Sequence, residues 1–170
     1  MKKLTAIVLC LCVLIFAAGC GDENAKTSHG VDIAYFADMG AMPESELKLG
    51  DGVPEQKEDS EDYFFYDDGD KSYASTGEFN YYYDISEKEP KIAAIAGFNT
   101  CYGFEKGSIS IEIAEALDSQ GIEYKERAAG EKEVFFLPPV EGRSVIECKS
   151  LKHNLIFVFE DNALCATFIN

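Results

Sequence analysis

The sequence is poor in basic residues. It has 15 lysine and arginine residues against 31 aspartate and glutamate residues, and its formal net charge is −16. Because proteins bind nucleic-acid phosphates mainly through clustered lysine and arginine, this composition argues against a nucleic-acid partner. It also argues against electrostatic attachment to anionic lipid headgroups. A cationic partner is compatible with the charge, and so is the simpler interpretation that acidity keeps the protein soluble.

The sequence also lacks the motifs that identify a catalyst or a metal site. No two cysteines form a C-x-x-C pair, which argues against a thioredoxin-like redox pair and a zinc knuckle. No G-x-S-x-G elbow is present, and His29 and His153 are the only histidines. We therefore expect no cofactor, no metal and no enzymatic activity. The alternative is a hydrolase in which His153 activates a nearby nucleophile such as Cys148.

The first 20 residues have the order of an export signal. Lys2 and Lys3 start the chain, an apolar run of 15 residues follows from Leu4 to Ala18, and small residues precede Cys20. This run is shorter than the roughly 20 residues that cross a bilayer as a helix, so a permanent transmembrane segment is the weaker interpretation. The pattern predicts a signal peptide over residues 1–19 that is cleaved before Cys20.

The segment Phe16-Ala17-Ala18-Gly19-Cys20 resembles the lipobox of bacterial lipoproteins, although it has Ala17 where leucine is commoner. The resemblance implies that the Cys20 sulfur becomes diacylated, and hence that the protein is anchored to a cell membrane and faces its extracytoplasmic side. Several acyl chains hold a protein firmly, whereas a single chain holds only marginally. The resemblance does not say which membrane of the envelope carries the anchor.

Cleavage removes Lys2 and Lys3 and no acidic residue, so the formal net charge changes from −16 to −18. Residues 20–32 contain the lipidated cysteine and a polar tether that includes His29, and a ten-residue coil spans roughly 17 Å. Residues 33–170 are long enough for one extracytoplasmic domain that buries about two thirds of its unfolded surface.

Hydrophobic periodicity predicts an α+β domain. Ile109, Ile113 and Leu117 recur at helical spacing in Ser108 to Ser119, and Gly121 follows as a stop signal. Residues 31–50 are weakly helical. Strands are predicted at Tyr63–Tyr66, Phe79–Ile85, Lys91–Phe98, Ile122–Glu126, Val134–Leu137, Ser144–Cys148, Leu155–Phe159 and Ala163–Ile169. The expected architecture is an antiparallel β-sheet with one or two short helices packed on one face.

Two halves, residues 33–99 and 100–170, share an order of features, and a tandem helix-plus-sheet duplication is one interpretation. The matched features are Tyr35, Gly40 and Gly52-Val53 in the first half with Tyr102, Gly107 and Gly121-Ile122 in the second. This order of elements resembles the β-lactamase-inhibitor-protein-like fold found in many bacterial lipoproteins. The resemblance implies a sheet whose open face docks proteins or peptides, and it carries over no individual residue.

Several side chains are candidates for a site, each with a simpler interpretation. Asp67, Asp68 and Asp70 suggest calcium, but their spacing does not fit an EF-hand, and a solvated turn explains them. Tyr81 to Tyr83 suggest a ligand-binding aromatic face or ordinary packing, with alternate members on opposite faces. Glu112 and Glu115 suit a charged helix surface.

Three cysteines, Cys101, Cys148 and Cys165, remain in the mature chain. Either two of them pair in an oxidising compartment, or all three stay reduced as small core residues; we expect Cys101 and Cys165 to be buried. We expect the whole protein to be a membrane-anchored, non-catalytic module that binds a protein or peptide. The alternative non-catalytic role is that of a structural component in envelope assembly.

Overall fold

The computed structural model describes residues 30–55, 62–68, 71–130, 134–138 and 140–170. Within these ranges the helices are α1 (Ile33–Asp38) and α2 (Ser110–Ser119). The strands in chain order are β1 (Phe64–Asp68), β2 (Lys71–Ser75), β3 (Phe79–Tyr83), β4 (Ile92–Gly97), β5 (Tyr124–Ala128), β6 (Ser144–Cys148), β7 (Leu155–Glu160) and β8 (Ala163–Ile169).

All eight strands form one antiparallel sheet in the order β1-β2-β3-β4-β8-β7-β6-β5. In the part of the chain that the structure describes, each half supplies one helix followed by four strands, and the two sets of strands meet where β4 pairs with β8. Ile95 lies opposite Ile169 and Gly97 lies opposite Thr167 at this junction. The predicted α+β class, with an antiparallel sheet and two short helices, is confirmed.

Both helices pack on the same face of the sheet. Ile113 and Leu117 of α2 and Ile33 and Ala37 of α1 are fully buried in one core that also contains Phe157 of β7. The three- and four-residue spacing of the apolar positions in α2 explains which side of this helix is buried. The helices therefore leave the opposite face of the sheet without a helical cover.

Local signals set the helix ends. The Glu112 carboxylate accepts a hydrogen bond from the Ile109 amide (3.3 Å), and Gly121 follows α2 with φ of 67°. Asp32 caps the start of α1, where its side chain accepts a hydrogen bond from the Tyr35 amide (2.9 Å), and the helix ends before Gly40, which has φ of 69°. Gly40 thus corresponds to Gly121. The sequence-based match of Gly40 with Gly107 is wrong, because Gly107 precedes its helix.

The two halves also contact each other on the side of the sheet that carries the helices. The Glu44 carboxylate accepts hydrogen bonds from the amides of Tyr102 (2.9 Å) and Gly103 (2.7 Å), both of which have positive φ. The Gln120 side chain donates to the Val31 carbonyl and accepts from the Ile33 amide, both at 2.9 Å. These contacts satisfy backbone groups near the ends of elements, and they fix the halves relative to each other.

The described elements differ from the sequence-based expectations at three places. Residues 134–137 form a turn rather than a strand, and the Leu137 amide donates to the Val134 carbonyl (2.9 Å). Strand β2, Lys71–Ser75, was not predicted, and the helix in residues 31–50 is only six residues long. Cys101, Cys148 and Cys165 are all free thiols, and Cys165 is half-buried rather than buried.

Candidate functional site

The candidate site is the sheet face opposite α1 and α2, which we call the helix-free face. Because side chains alternate along a strand, the register determines which residues point to it. Its centre is apolar and is built from Ala94 and Ala96 of β4, Ile156 and Val158 of β7 and Phe168 of β8. The sheet is therefore apolar on both faces, and its second face also needs a cover.

Part of that cover comes from residues 134–138, which we call the strap. The Phe136 ring stacks on the Phe168 ring with their centroids 4.8 Å apart and an angle of 10° between the planes. Phe135 meets the rings of Phe168 and Tyr82 edge to face at 5.8 and 5.1 Å. The strap thus lies over β8 and β3 near the middle of the sheet.

A buried arginine holds the strap in place. Arg143 is only 7% exposed, and its Nε and Nη2 donate to Glu160 Oε2 at 3.2 and 2.9 Å. Its Nη1 donates to the carbonyl of Pro138, the last residue of the strap. The guanidinium therefore links the strap to the end of β7, and its charge has a carboxylate partner, which a buried charge requires.

An aromatic ladder extends from the strap to one edge of the sheet. Tyr66, Tyr73 and Tyr82 lie directly opposite one another on β1, β2 and β3. Ring centroids are 4.8 Å apart for Tyr66 and Tyr73 and 5.2 Å apart for Tyr73 and Tyr82. Together with Phe135, these rings form a continuous row across three strands, and each such pair adds to stability beyond its buried area.

Burial decreases along the ladder towards β1. Tyr82 is 8% exposed, whereas Tyr66 is 49% exposed and Phe64, two residues earlier on the same face, is 59% exposed. Burial raises the pKa of Tyr82 from 10.0 to about 12, although the Asn80 side chain, which donates to its hydroxyl (3.2 Å), opposes the shift. The buried end of the ladder is therefore uncharged near neutral pH, and its outer end presents two accessible rings.

The other end of the helix-free face is charged. Arg127 Nε donates to Glu147 Oε2 (2.8 Å), and Lys149 also donates to Glu147. These hydrogen bonds, with that from Lys149 the stronger cause, hold the pKa of Glu147 below its ordinary value. Charged pairs of this kind keep the β5 side of the sheet hydrated, so the two ends of the face differ in chemistry.

The predicted tyrosines fall on both faces. Tyr81 is fully buried on the helix side, where its hydroxyl lies 3.0 Å from Ser45 Oγ, and Tyr83 is half-buried on the same side. Of these three tyrosines, only Tyr82 reaches the helix-free face. The accessible rings are those of Phe64 and Tyr66, which sequence reasoning assigned to a strand but not to a site. Their alternation in the run from Tyr63 to Tyr66 was the available signal.

The remaining candidates are the pair Cys148 and His153 and the aspartates suggested for calcium. Cys148 is buried and its burial raises the pKa of the thiol to about 12, while His153 lies half-buried in the connection between β6 and β7. Of the suggested calcium ligands, Asp67 accepts a hydrogen bond from Ser72 Oγ (3.1 Å). Within the ranges that the structure covers, no three histidine, cysteine, aspartate or glutamate side chains are grouped to hold a metal ion.

Cys20 and His29 lie outside the described residues, so the proposed lipid anchor has no structural description. Among the helices that the structure describes, none is long and apolar enough to cross a membrane.

No protein-family profile, curated protein or solved structure matches the chain at a significant level.

Proposed function

We propose that the protein is a lipid-anchored extracytoplasmic binding module that holds a protein or peptide on its helix-free face. The observation that supports this most directly is the exposure of Phe64 and Tyr66 at the end of an otherwise packed aromatic row. Accessible aromatic rings on a rigid sheet are suited to binding because they bury a large area and lose little side-chain entropy.

The arrangement of the face supports binding rather than catalysis. The strap supports the ladder at one end, and each tyrosine ring of the ladder contacts the next. The accessible rings are therefore held in place before a partner arrives. A preordered surface lowers the entropic cost of association. The apolar rings can contact a chain of many sequences, which fits a role in holding proteins or peptides.

The N-terminal segment supports a membrane location for this module. The signal-like residues 1–19 and Cys20 support anchoring through acyl chains, and the polar residues up to 32 provide a tether that keeps the acidic domain off the surface. Since the mature chain has a net charge of −18, lipid rather than electrostatic attraction must supply the attachment.

The anchor is tested with the Cys20→Ser variant in cells that process lipoproteins. We expect the variant to be released from the membrane fraction or to accumulate as an uncleaved precursor, while intact-mass analysis of the parent shows an acylated cysteine as the first residue. Retention of the variant in membranes after normal cleavage contradicts the lipid anchor.

The binding face is tested by placing a photo-crosslinking amino acid at Tyr73, within the ladder, and at Ile111, an exposed apolar residue of α2 that serves as the matched control. We expect discrete protein adducts in intact cells from position 73 and none of the same mass from position 111. Equal adducts from both positions contradict the assignment of the face. A partner that co-purifies with the protein in stoichiometric amounts without crosslinking favours envelope assembly over reversible binding.

A further inference from the structure

The two edge strands of the sheet, β1 and β5, differ in the charge of their side chains. Strand β5, at one edge, carries Lys125, Glu126 and Arg127 in succession. Charges of both signs on an edge strand discourage pairing with another chain. Strand β1, at the other edge, begins with Phe64, Phe65 and Tyr66 and contains no lysine, arginine or proline. Among the described residues, nothing pairs with the outer side of β1.

The two faces of β1 have different chemistry. Phe64 and Tyr66 point to the helix-free face and are well exposed. On the helix side lie Phe65 and the exposed Asp67, and the neighbouring Tyr63 hydroxyl donates to the exposed Glu46 carboxylate (3.2 Å). A strand placed beside β1, about 4.8 Å away, would thus have the rings of Phe64 and Tyr66 next to one of its faces. Next to its other face it would have carboxylates as well as the Phe65 ring.

We propose that β1 is a strand-addition site for an extended segment in which apolar residues alternate with lysine or arginine. Such a segment pairs its backbone with the outer side of β1, packs its apolar side chains on Phe64 and Tyr66, and directs its cations towards Asp67 and Glu46. Backbone hydrogen bonds supply affinity and the alternating side chains supply specificity. This occupant presupposes the binding role proposed above.

A second copy of the chain fits this edge poorly. Pairing two β1 strands brings together two edges that each carry the Asp67 carboxylate and no lysine or arginine. Like charges on neighbouring strands are destabilising, and each mature chain already carries a net charge of −18. A cationic segment removes this repulsion, so charge complementarity selects a basic partner over a homodimer.

The test uses the full-length protein in non-ionic detergent and a synthetic peptide of about ten residues that alternates valine and lysine. Binding is measured at physiological salt, where nonspecific charge attraction is screened. A peptide of the same composition with its valines and lysines in two separate blocks is the control. We expect the alternating peptide to bind at least about tenfold more tightly than the block peptide, since only it matches both faces of β1.

Backbone pairing is tested with two further peptides, N-methylated at one or the other set of alternate amides. In an added strand only one set points towards β1, so we expect one peptide to lose about tenfold or more in affinity and the other to bind almost normally. Equal affinities of the two methylated peptides overturn strand addition. Failure of the alternating peptide to bind, or a concentration-dependent dimer of the protein alone that excludes it, overturns the proposal as well.

Two protein variants test which edge of the sheet binds the peptide. Asp67→Asn keeps the oxygen that accepts from Ser72 but removes the charge, and Glu126→Gln removes one exposed carboxylate at the β5 edge. We expect the first to weaken peptide binding about two- to fivefold and the second to leave it unchanged. Equal effects contradict the β1 location. The crosslinks from Tyr73 decide the binding role of the face independently, because they do not require the peptide.

Discussion

Replacing Gly97 with alanine tests how tightly the two halves of the sheet are packed at their junction. Gly97 ends β4 and lies opposite Thr167 of β8. A Cβ atom there would overlap Cys101 Sγ and lie 2.9 Å from Phe79 Cε1, which is closer than unbonded carbon atoms approach. We expect the substitution to lower the free energy of unfolding by about 1 to 3 kcal/mol, the usual cost of overpacking a core.

A double-mutant cycle identifies the cause. Cys101→Ala alone removes a buried sulfur and should cost about 1 to 2 kcal/mol. In the double variant the new methyl group occupies space that the sulfur has left, so the combined loss should be smaller than the sum of the single losses by about 1 kcal/mol or more. Phe79 still restricts the site, and therefore some cost should remain.

The assay is urea unfolding of the full-length protein followed by circular dichroism, with unchanged slopes as evidence that the unfolded state is comparable. Gly52→Ala is the matched control because no heavy atom lies within 4 Å of the position that its new methyl group would take. The effect of this control should stay within about 0.5 kcal/mol. Additive losses in the cycle, or equal effects at Gly97 and Gly52, would refute the packing at this junction.

Three further predictions concern the helix-free face and the core thiols. Phe136→Ala should lower the free energy of unfolding by about 1 to 2 kcal/mol and increase binding of a hydrophobic dye, because it uncovers the Phe168 ring. Unchanged dye binding contradicts the packing of the strap on this ring. Because burial raises the pKa of Tyr82 from 10.0 to about 12, the folded protein holds this proton more tightly than the unfolded chain, and the free energy of unfolding should fall by about 2 kcal/mol as the pH rises from 10 to about 12. Tyr82→Phe should remove this part of the alkaline loss of stability. A variant whose stability depends on pH in the same way as the parent's contradicts the raised pKa. Cys165 should react with a thiol reagent in the folded protein, whereas Cys101 and Cys148 should react only after unfolding, and equal rates for all three contradict their different burial.

Strands with strong local signals could be predicted from the sequence. The bounds of β6 and β8 agree with the prediction, and β7 differs by one residue. Asp161 and Asn162, which join β7 to β8, both have positive φ, a conformation that these residue types tolerate and that tight hairpins require. Helix α2 was also predicted to within two residues, because its apolar spacing and its glycine stop agree with each other.

The misses have a shared physical cause, which is that local sequence does not determine tertiary pairing. Strand β2 is rich in small polar residues and has little strand propensity, but it pairs on both sides with β1 and β3. The strap is aromatic and apolar like a strand, yet Pro138 cannot donate to a ladder and the rings of Phe135 and Phe136 pack against a face instead. The candidate site shares this difficulty, because its rings come from five separate segments, β1, β2, β3, the strap and β8.

The position of the accessible rings follows from the reach of the strap. Phe135 extends as far as Tyr82 on β3, and β1 lies two strands beyond, about 10 Å further across the sheet. No side chain of the short strap spans that distance, so the outer end of the ladder receives no cover from the segment that protects its inner end. The helices cannot supply one because they occupy the opposite face. Phe64 and Tyr66 are therefore accessible as a consequence of the architecture, and an added strand at β1 is the arrangement that would bury both rings while extending the existing sheet.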